Sequence, residues 1–551
     1  MSPARRSVLA TGTVEQMNAA FAVELGTYES STERYRGRSG LVYPPEELAG
    51  VIVGVFGLDN RRVGQRNAPG DPPGTTTLTV PKIAELYDLP KHKAHAQTVG
   101  ILTLGPGYDP ADLSHYFATL PPGYAAPAVV DVSILGSVNH PGSPDGETTQ
   151  DICIAATIAQ DATVAVYFTP ATQAGWVDFL LRAAFPDAGD PEPSVLSSSW
   201  YIANGDDLPT LLAEGVSVAF VNAIDLAFRA AAVRGLTVCI ASGDTGSNSK
   251  VSGGKAHVQF PGSDPWVVAC GGTTVGRVHG AFFEEFAWND TFFGFDKGAT
   301  GGGVSDFFAE PHYQHHHHAH VPPSVNDGHH GRGVPDIAAN SSPNSGYPMF
   351  VRGTPFVANG TSASAPLYAG LFTVLNAALG YRLGFFNPFL YRHAKEICRD
   401  ISGPPGPTDN SLFGTPGYPC KHGWDACTGW GVIDGKKLLH LLRGEHEEPA
   451  AFAELAFSGK VDGIVYDRFG DFDGFSLETD QGRRDFETHE RKIEEVVRRA
   501  RDERVSLTVF VDRDEPDGPH GANGHRHNGN GHVHNGSGRH PRLQPASIVV
   551  R

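Results

Sequence analysis

Hydrophobic residues follow several distinct patterns along the chain, and each pattern predicts a different kind of structure. Between residues 77 and 444, short apolar runs alternate with longer stretches that favour helix. The runs TVGILTL, AVVDVSIL, ATVAVYF, SVLSSSW and LTVCIASGD are typical of strands in a parallel sheet covered on both faces. We therefore expect an α/β domain here. Such a sheet binds ligands at the carboxyl ends of its strands, where SSSW, SGDTGS and NGTS would emerge.

The regions on either side of this domain differ from it. Residues 1–59 contain a helical pattern, VEQMNAAFAVEL, and predict a small α+β piece. Residues 60–76 are rich in Pro, Gly, Asn and Arg and predict an exposed, cleavable linker. Residues 453–551 predict a small β-rich module with one charged helix, HERKIEEVVRRARDE. Within it, the His, Gly and Asn stretch at 516–541 predicts a disordered loop, because it has almost nothing to bury.

Composition excludes several classes of partner. The chain has 43 Lys and Arg against 61 Asp and Glu, a formal charge of −18, which argues against nucleic acid or an anionic membrane as partner. No apolar run approaches the roughly 20 residues that a membrane span needs. The start of the chain has no apolar core of the length that a secretory signal requires. We expect a soluble monomer.

Cysteine and histidine do not predict a metal centre. Three cysteines lie in apolar surroundings and should be buried thiols: Cys153, Cys239 and Cys270. Three more cluster late in the chain, where their spacing allows one disulfide but has no CxxC zinc signature: Cys398, Cys420 and Cys427. The histidines at 315–318 and 516–541 could bind a metal adventitiously, but we expect solvated, unstructured imidazoles.

Ser362 is the candidate nucleophile. It follows a glycine and a threonine in ANGTSASAPLYAG, where a helix is predicted to begin, so it is either a nucleophile or a helix cap. Serine peptidases usually supply a histidine as the base, and the HGTH sequence of the subtilisin type is absent. A different base is therefore required.

Two carboxylates could provide that base. Glu147 and Asp151 are four residues apart in the first turns of a predicted helix, so they project from the same face. Like charges at this spacing are mildly unfavourable, by about 0.2 to 0.5 kcal/mol. A helix N-terminus partly offsets that repulsion, which leaves a purely structural role open. In a desolvated site, however, such a pair can share one proton and act as base and then acid.

The conjunction of motifs is more specific than any one of them. NGTSASAP, GETTQD and ASGDTGS, together with AVYFTPATQAGW, FPGSDPWVVACGGT and GWDACTGWG, resemble the sedolisins, the serine-carboxyl peptidases, in their kumamolisin branch. This resemblance covers nearly all of 77–444 and implies a subtilisin-like parallel sheet flanked by helices. It also implies an endopeptidase made as a zymogen, which acts on protein or peptide substrates.

The resemblance assigns a role to each candidate. Ser362 would be the nucleophile, Glu147 the general base and Asp151 the partner of that base. Asp244, in SGDTGS, would donate a hydrogen bond to the oxyanion, for which it must be protonated. Trp200 would line the site beside the glutamate, although core packing is its simpler role. Because carboxyl groups do this work, we expect an optimum at about pH 3 to 5.

Two positions depart from the pattern of the family. Tyr201 stands where many relatives have glycine, which would narrow the substrate cleft, and Thr103 stands where some have a glutamate that extends the acid network. The DTG of SGDTGS is also found in aspartic proteases. Those enzymes need two such motifs, and only one is present.

The resemblance also implies a calcium ion and a propeptide. Side-chain oxygens of Asp400 and Asp425, with backbone carbonyls of Ile401, Lys421 and Gly423, would hold one structural Ca²⁺. Residues 4–59 resemble the later half of a sedolisin propeptide, so either the chain starts upstream of Met1 or this propeptide is short. We expect self-cleavage between Asn60 and Thr77, and an extracellular enzyme.

Two alternatives belong to other classes. The first is a catalytically silent relative that binds peptides or serves as a scaffold, against which the intact set of Glu147, Asp151, Asp244 and Ser362 speaks. The second is a metal-binding protein defined by its histidine tracts. Such a protein would lose its metal in acid, because protonated imidazole does not bind metal.

Overall fold

The fold consists of a mostly parallel sheet between helices, preceded by a small α+β piece and followed by a separate antiparallel sheet. The computed structural model describes residues 2, 4–29, 34–48, 51–66, 77–105, 107–142, 146–279, 282–294, 298–316, 319–403, 406–444, 456–466, 472–479, 482–488, 491–502, 504–511 and 545–550. The chain divides into two compact units, Met1–Leu441 and Leu442–Arg551.

The helices and strands alternate through most of the first unit. The helices are α1 (Val14–Phe21), α2 (Val80–Leu86), α3 (Pro110–Thr119), α4 (Gly146–Ile158), α5 (Gln173–Ala184), α6 (Leu208–Ala213), α7 (Val218–Val233), α8 (His312–His316), α9 (Thr361–Leu379), α10 (Asn387–Ile397), α11 (Gly435–Gly444) and α12 (Arg491–Asp502). The strands are β1 (Glu24–Glu29), β2 (Arg34–Ser39), β3 (Gln65–Arg66), β4 (Thr98–Thr103), β5 (Ala128–Ser133), β6 (Thr163–Phe168), β7 (Val195–Ser198), β8 (Trp200–Tyr201), β9 (Thr237–Ala241), β10 (Val268–His279), β11 (Phe282–Ala287), β12 (Gly303–Val304), β13 (Gly333–Val334), β14 (Ile337–Asn340), β15 (Tyr347–Val351), β16 (Thr354–Ala358), β17 (Cys398–Arg399), β18 (Val432–Ile433), β19 (Ala456–Tyr466), β20 (Phe472–Thr479), β21 (Gly482–Glu487), β22 (Ser506–Val511) and β23 (Pro545–Val550).

The central sheet has the order β11-β10-β9-β7-β4-β6-β5, with β14 also paired to β10. All of these pairings are parallel except that of β11 with β10. The five apolar runs singled out in the sequence form β4, β5, β6, β7 and β9, which confirms the expected α/β domain. Their carboxyl ends meet at one edge of the sheet, as parallel pairing requires.

Helix α9 is the buried centre of this unit. It packs against α4 and against β7, β9 and β10, and its residues from Thr361 to Asn376 are all buried. At Gly370 the two helices come so close that an added Cβ would lie 2.8 Å from Ile158 Cβ and 3.0 Å from Ala155 O. This helix corrects the expectation that no apolar stretch approaches the length of a membrane span, because among the described helices α9 has that length and composition. However, 83% of the stretch is buried inside the protein.

The N-terminal piece contains helix α1 and the antiparallel pair β1–β2, which confirms its α+β character. The linker that follows is partly ordered, and the expectation of an unprotected backbone is wrong for residues 63–66. Val63 and Gly64 are buried, and β3 pairs with β8 in an antiparallel manner. An extended chain can protect its backbone by adding a strand to an exposed edge. Residues 67–76 lie outside the described residues.

The second unit is an antiparallel sheet with the order β21-β20-β19-β22-β23. Helix α12 packs on it, and its buried Val497 and Ala500 meet Phe475, Leu477 and Leu507 in one small core. This sheet and α12 agree with the small β-rich module and charged helix that the sequence predicts. Strand β21, GRRDFE, is too charged to be recognised by an apolar pattern. The stretch 516–541 lies outside the described residues.

The cysteines and histidines show one difference from expectation. All six cysteines are free thiols. His315 and His316 belong to the short helix α8, which corrects the expectation of an unstructured tract for these two residues. The helix is ordered because Gln314, within it, is buried and hydrogen-bonded to Gly333 and Tyr391. Within the described ranges, no group of three or more His, Cys, Asp or Glu residues could hold a metal ion.

Candidate active site

The candidate residues converge at the carboxyl edge of the sheet. Ser199 follows β7, Asp244 follows β9, and Ser362 lies in the first turn of α9. Glu147 and Asp151 lie in the first two turns of α4, which packs against α9. Residues more than 200 positions apart in sequence thus lie in one buried region, and all five are at most 5% exposed.

Asp244 is held so that its two oxygens differ. Its Oδ1 accepts hydrogen bonds from the backbone N–H of Thr361 at 2.7 Å and from the Thr361 hydroxyl at 2.8 Å. Its Oδ2 is buried and has no hydrogen-bond partner within the described part of the chain. Burial raises the pKa of Asp244 to about 6, although the bonds from Thr361 oppose this rise. In acid this side chain is therefore a carboxylic acid whose Oδ2 is available to donate.

Asp151 is the second carboxyl group with an altered acidity. Burial and then the negative charge of Glu147 raise its pKa well above the usual value, while a hydrogen bond from Ser199 lowers it. The Ser199 hydroxyl lies 2.8 Å from Asp151 Oδ1 and 3.1 Å from the backbone oxygen of Ser362. Asp151 therefore holds a proton in the folded protein at pH values where an exposed aspartate would be charged.

Ser362 presents a buried hydroxyl with no hydrogen-bond partner among the described residues. The turn before it is tied to α4 by Gln150, whose side chain donates to Asn359 O at 3.2 Å and accepts from Asn359 N at 3.1 Å. No hydrogen bond joins Glu147 to the Ser362 hydroxyl within the described ranges. The charge of Glu147 acts on Asp151, which accepts from Ser199, and the Ser199 hydroxyl lies 3.1 Å from the backbone oxygen of Ser362.

Gly360 is the residue that lets the serine turn approach Asp244. Its φ of +86° is in the left-handed region, and an added Cβ would lie 2.4 Å from Asp244 Oδ2. Any side chain at this position would therefore occupy the space beside the proton-bearing oxygen.

Trp200, Tyr201 and Thr103 have definite positions. Trp200 is 3% exposed and packs in a buried apolar cluster, which fits its simpler role in core packing. It also forms strand β8 beside Ser199. The Tyr201 hydroxyl lies 3.3 Å from Gln65 Oε1 of the linker. The Thr103 hydroxyl is 2.8 Å from that of Thr148 on α4, so a neutral contact stands where a carboxyl was considered.

The linker packs along a surface formed by Leu104, Ala171, Trp176, Trp200 and Tyr201, which we call the groove. Gln65 and Arg66 pair with Tyr201 and Trp200, and the Val63 N–H donates to Ala171 O at 2.7 Å. Gly64, with φ of +95°, is closely packed, because an added Cβ would lie 2.8 Å from Leu104 Cδ1 and 3.0 Å from Trp176 Nε1. A cavity of about 460 Å³ adjoins this segment, between Arg62 and the loops that follow β4, β5 and β6.

The five residues expected to bind calcium lie together. Asp425 is fully buried, and its carboxylate accepts the backbone N–H groups of Lys421, Cys427 and Thr428. The Thr428 hydroxyl is 3.3 Å from both Ile401 O and Asp425 Oδ1.

Asp400 completes this group from the other loop. Its Oδ2 accepts from Gly423 N at 3.1 Å. The two carboxylates and Ile401 O are oxygen donors of the kind that suits a hard cation such as Ca²⁺, and His422 Nδ1 also lies 3.1 Å from Asp400 Oδ2.

Three supporting residues were not identified from the sequence: Ser199, Gln150 and Thr361. Each acts through a hydrogen bond to a residue distant in sequence, so no local spacing marks it. Thr361 alone carried a signal, because it is adjacent to the candidate nucleophile.

Comparisons with known proteins agree with this arrangement. Residues 1–61 match the family described as "Pro-kumamolisin, activation domain". Kumamolisin from Bacillus sp. is 38% identical over 453 residues, which cover 78% of this chain and 78% of the relative. Tripeptidyl-peptidase sed5 of Aspergillus fumigatus is 35% identical over 488 residues, covering 78% of this chain and 81% of the relative.

A solved structure extends the likeness to the fold. Pseudomonas sedolisin, a serine-carboxyl proteinase crystallised with two molecules of pseudo-iodotyrostatin, superimposes with a TM-score of 0.56 at 25% identity. The match covers 67% of this chain and 98% of that structure. Fold and relatives together define a peptidase with a propeptide. The chain belongs to the sedolisin family, in its kumamolisin-like branch.

Proposed function

We propose that this protein is an acid-active serine-carboxyl endopeptidase made as a zymogen. The observation that carries the proposal is the state of Asp244, which has one oxygen saturated by Thr361 and the other buried without a bond beside the turn of Ser362. A carboxyl group in that state is suited to donate a hydrogen bond to an oxyanion when it is protonated.

The proposed reaction has two halves. The Ser362 hydroxyl oxygen attacks the peptide carbonyl carbon, and the hydroxyl proton moves to Glu147. Glu147 and Asp151 share one negative charge before this step. Asp244 Oδ2–H donates to the oxyanion of the tetrahedral intermediate. The proton on Glu147 then passes to the leaving amine, and an acyl-enzyme on Ser362 remains. In the second half, water loses a proton to Glu147 and attacks the ester carbonyl; the bond to the serine oxygen then breaks, that oxygen takes the proton from Glu147, and the peptide leaves as a carboxylic acid.

The linker supports an endopeptidase that is held inactive before processing. Gln65 and Arg66 add a strand to β8, as an extended peptide substrate would, and Val63 and Gly64 fill the groove further toward the N-terminus of the linker. A groove that accepts chain beyond the paired residues suits cleavage within a polypeptide. A tripeptidyl-peptidase, the activity by which sed5 is named, recognises a free N-terminus instead.

One calcium ion is proposed as a structural cofactor. Asp400 and Asp425 would bind it through side-chain oxygens, and Ile401, Lys421 and Gly423 through backbone carbonyls. The ion would neutralise the two carboxylates and hold their loops together; it has no part in the bond-breaking steps. The extracellular location and the monomeric state stay predictions.

The test is self-processing at about pH 4, within the range set by the carboxyl groups. We expect the wild-type chain to lose its N-terminal segment and Ser362→Ala to stay whole. Ser364→Ala is the matched control. Ser364 lies on the same helix as Ser362, and its hydroxyl hydrogen-bonds to Ser341 and Ala339. Removing that hydroxyl should lower the stability of the protein but should not abolish cleavage. Equal cleavage by Ser362→Ala would refute the proposal.

A second assay separates endopeptidase from tripeptidyl-peptidase activity. The processed enzyme is given one peptide sequence in two forms, with a free and with an acetylated N-terminus. We expect internal cleavage of both, read by mass spectrometry. Release of tripeptides from the free form alone would leave a peptidase but refute the endopeptidase. A chain that cleaves neither form would support the silent scaffold.

A further inference from the structure

Ser199 lies between the acidic couple and the helix of the nucleophile. It follows β7, is fully buried, and places its Oγ 2.8 Å from Asp151 Oδ1 and 3.1 Å from Ser362 O. From the end of a sheet strand, its hydroxyl thus contacts two helices, α4 and α9. None of the roles described above assigns it a function.

A serine hydroxyl carries only one proton to donate. When Asp151 is charged, the shorter contact to its carboxylate is the stronger bond, because a charged acceptor strengthens a hydrogen bond. This bond occupies Asp151 Oδ1. Asp151 Oδ2, by contrast, is buried without a hydrogen-bond partner in the part of the chain that the structure describes.

The surroundings of Asp151 contain few charges. Among the described residues, Glu147 on the same helix is the charged group that acts on it. Ser199 from the sheet faces it with a neutral hydroxyl, and α9 contributes the backbone oxygen of Ser362 to the same contact. The Ser199 hydroxyl is therefore the one donor that the described structure offers to the charged form of Asp151.

We propose that Ser199 is a positioning residue for the Glu147–Asp151 couple. Its hydroxyl donates to Asp151 Oδ1, so a proton held by Asp151 resides on Oδ2. This role rests on the proposed peptidase function. It also sets the lower pH limit of activity, because the hydroxyl stabilises the singly charged couple against a second proton.

The test is the pH dependence of kcat/KM for Ser199→Ala. Without the donor, the couple takes its second proton at higher pH, so we expect the acid limb of the profile to move up by about one pH unit, the size of one hydrogen bond to a charged group. Ser199→Thr, which retains the hydroxyl, should restore the limb. Ser199→Cys retains the size of serine but donates weakly, and should behave like alanine.

Ser197→Ala is the matched control. Ser197 lies on β7, is fully buried, and its hydroxyl has no hydrogen-bond partner in the described part of the chain. Its profile should keep the wild-type acid limb. A purely structural role of Ser199 would lower the rate equally at all pH values, because lost packing does not favour one protonation state.

The outcomes are distinguishable. An acid limb that moves in Ser199→Ala and Ser199→Cys, but not in Ser199→Thr or Ser197→Ala, supports the proposal. An unchanged limb in Ser199→Ala and Ser199→Cys, with Ser362→Ala inactive, overturns the role of Ser199 and leaves the peptidase function intact. A wild-type chain without peptidase activity overturns both.

Discussion

Thr361 donates both its backbone N–H and its hydroxyl to a single oxygen of Asp244, at 2.7 and 2.8 Å. A protonated carboxyl group carries its hydrogen on the oxygen that is not already accepting, so the proton of Asp244 belongs on Oδ2. That oxygen lies against Gly360, two residues before Ser362. One threonine thereby determines both the orientation of the acid and the position of its proton.

The first prediction concerns the alkaline limb of activity. Asp244 must be protonated to donate, and its pKa is raised to about 6, so kcat/KM should fall as the pH rises through about 6. Asp244→Asn keeps a donor at every pH, because Thr361 directs the amide nitrogen to the place of Oδ2. Its rate should be lower, and the limb near pH 6 should disappear. An unchanged limb in this variant would assign it to another group.

The second prediction concerns stability. The folded pKa of Asp244 exceeds the unfolded value of 3.8. Protonation therefore favours the folded state, and this contribution is present below about pH 4 and lost as the pH rises through about 6. Asp244→Asn avoids the buried charge and should raise the free energy of unfolding at pH 7 by up to about 3 kcal/mol. At pH 3 the two proteins should be nearly equal.

Urea unfolding at the two pH values measures this difference. Asp327→Asn is a control of opposite character, because Asp327 is exposed and hydrogen bonds from His329 lower its pKa. It should not become more stable at pH 7. A lower free energy of unfolding for Asp244→Asn than for the wild type at pH 7 would contradict the conclusion that burial destabilises the charged form of Asp244.

The third prediction is that Gly360→Ala inactivates the site. The new methyl group would stand 2.4 Å from Asp244 Oδ2 at a φ of +86°. We expect kcat/KM to fall by about 100-fold or more, the scale of a lost oxyanion donor. Gly380→Ala is the matched control, since Gly380 has a φ of +78° and nothing within 4 Å of an added Cβ. It should lose about 1 kcal/mol of stability and keep its activity. Similar activity losses in both variants would indicate a general backbone effect.

The fourth prediction concerns the linker. In a Ser362→Ala background, which prevents self-cleavage, Gly64→Val should release the linker, because a side chain would clash with Leu104 and Trp176. Trypsin at neutral pH should then cut the linker arginines about tenfold faster or more, since overpacking costs about 1 to 3 kcal/mol. Gly40→Val, at a glycine with open space around an added Cβ, should leave the cutting rate unchanged. Equal rates in all three proteins would mean that the linker is not held in the groove.

The fifth prediction is the effect of calcium. Added Ca²⁺ should raise the midpoint of thermal unfolding, and a chelator should reverse the change, because an ion that binds only the folded state stabilises it by mass action. Asp400→Asn should remove most of this response. Asp409→Asn, on a neighbouring loop where Asp409 bonds to Ser411, should keep it. A midpoint that is independent of calcium in the wild-type chain would exclude the site.

Much of the site could be predicted from the sequence, because its chemistry depends on which residue types are present and how they are spaced. Glu147 and Asp151 share a helix face by their spacing alone, and Asp244 and Ser362 lie in recognisable turns. Ser199 and Gln150 could not be found this way. Each is an ordinary polar residue whose importance arises from a partner 48 to 209 positions away, and hydrophobic periodicity contains no information about such pairs.

For the linker, the structure partly contradicts the prediction made from the sequence. Its Pro, Gly and Arg content indicates exposure, and composition is a fair guide to what a segment does when nothing lies beside it. Here the open edge of β8 lies beside it, and pairing with that edge buries Val63 and Gly64. A sequence pattern reports the preferences of a segment, not the presence of a partner.

By itself, the sequence determined the alternation of strands and helices, the net negative charge, and the carboxyl and hydroxyl groups on which the proposed catalysis depends. These are properties of side chains and of local periodicity. The tertiary structure alone decided which oxygen of Asp244 is left without a bond, which hydroxyl reaches Asp151, and where the linker lies. Those are relations between distant segments, and they arise only when packing removes water and fixes the distances between them.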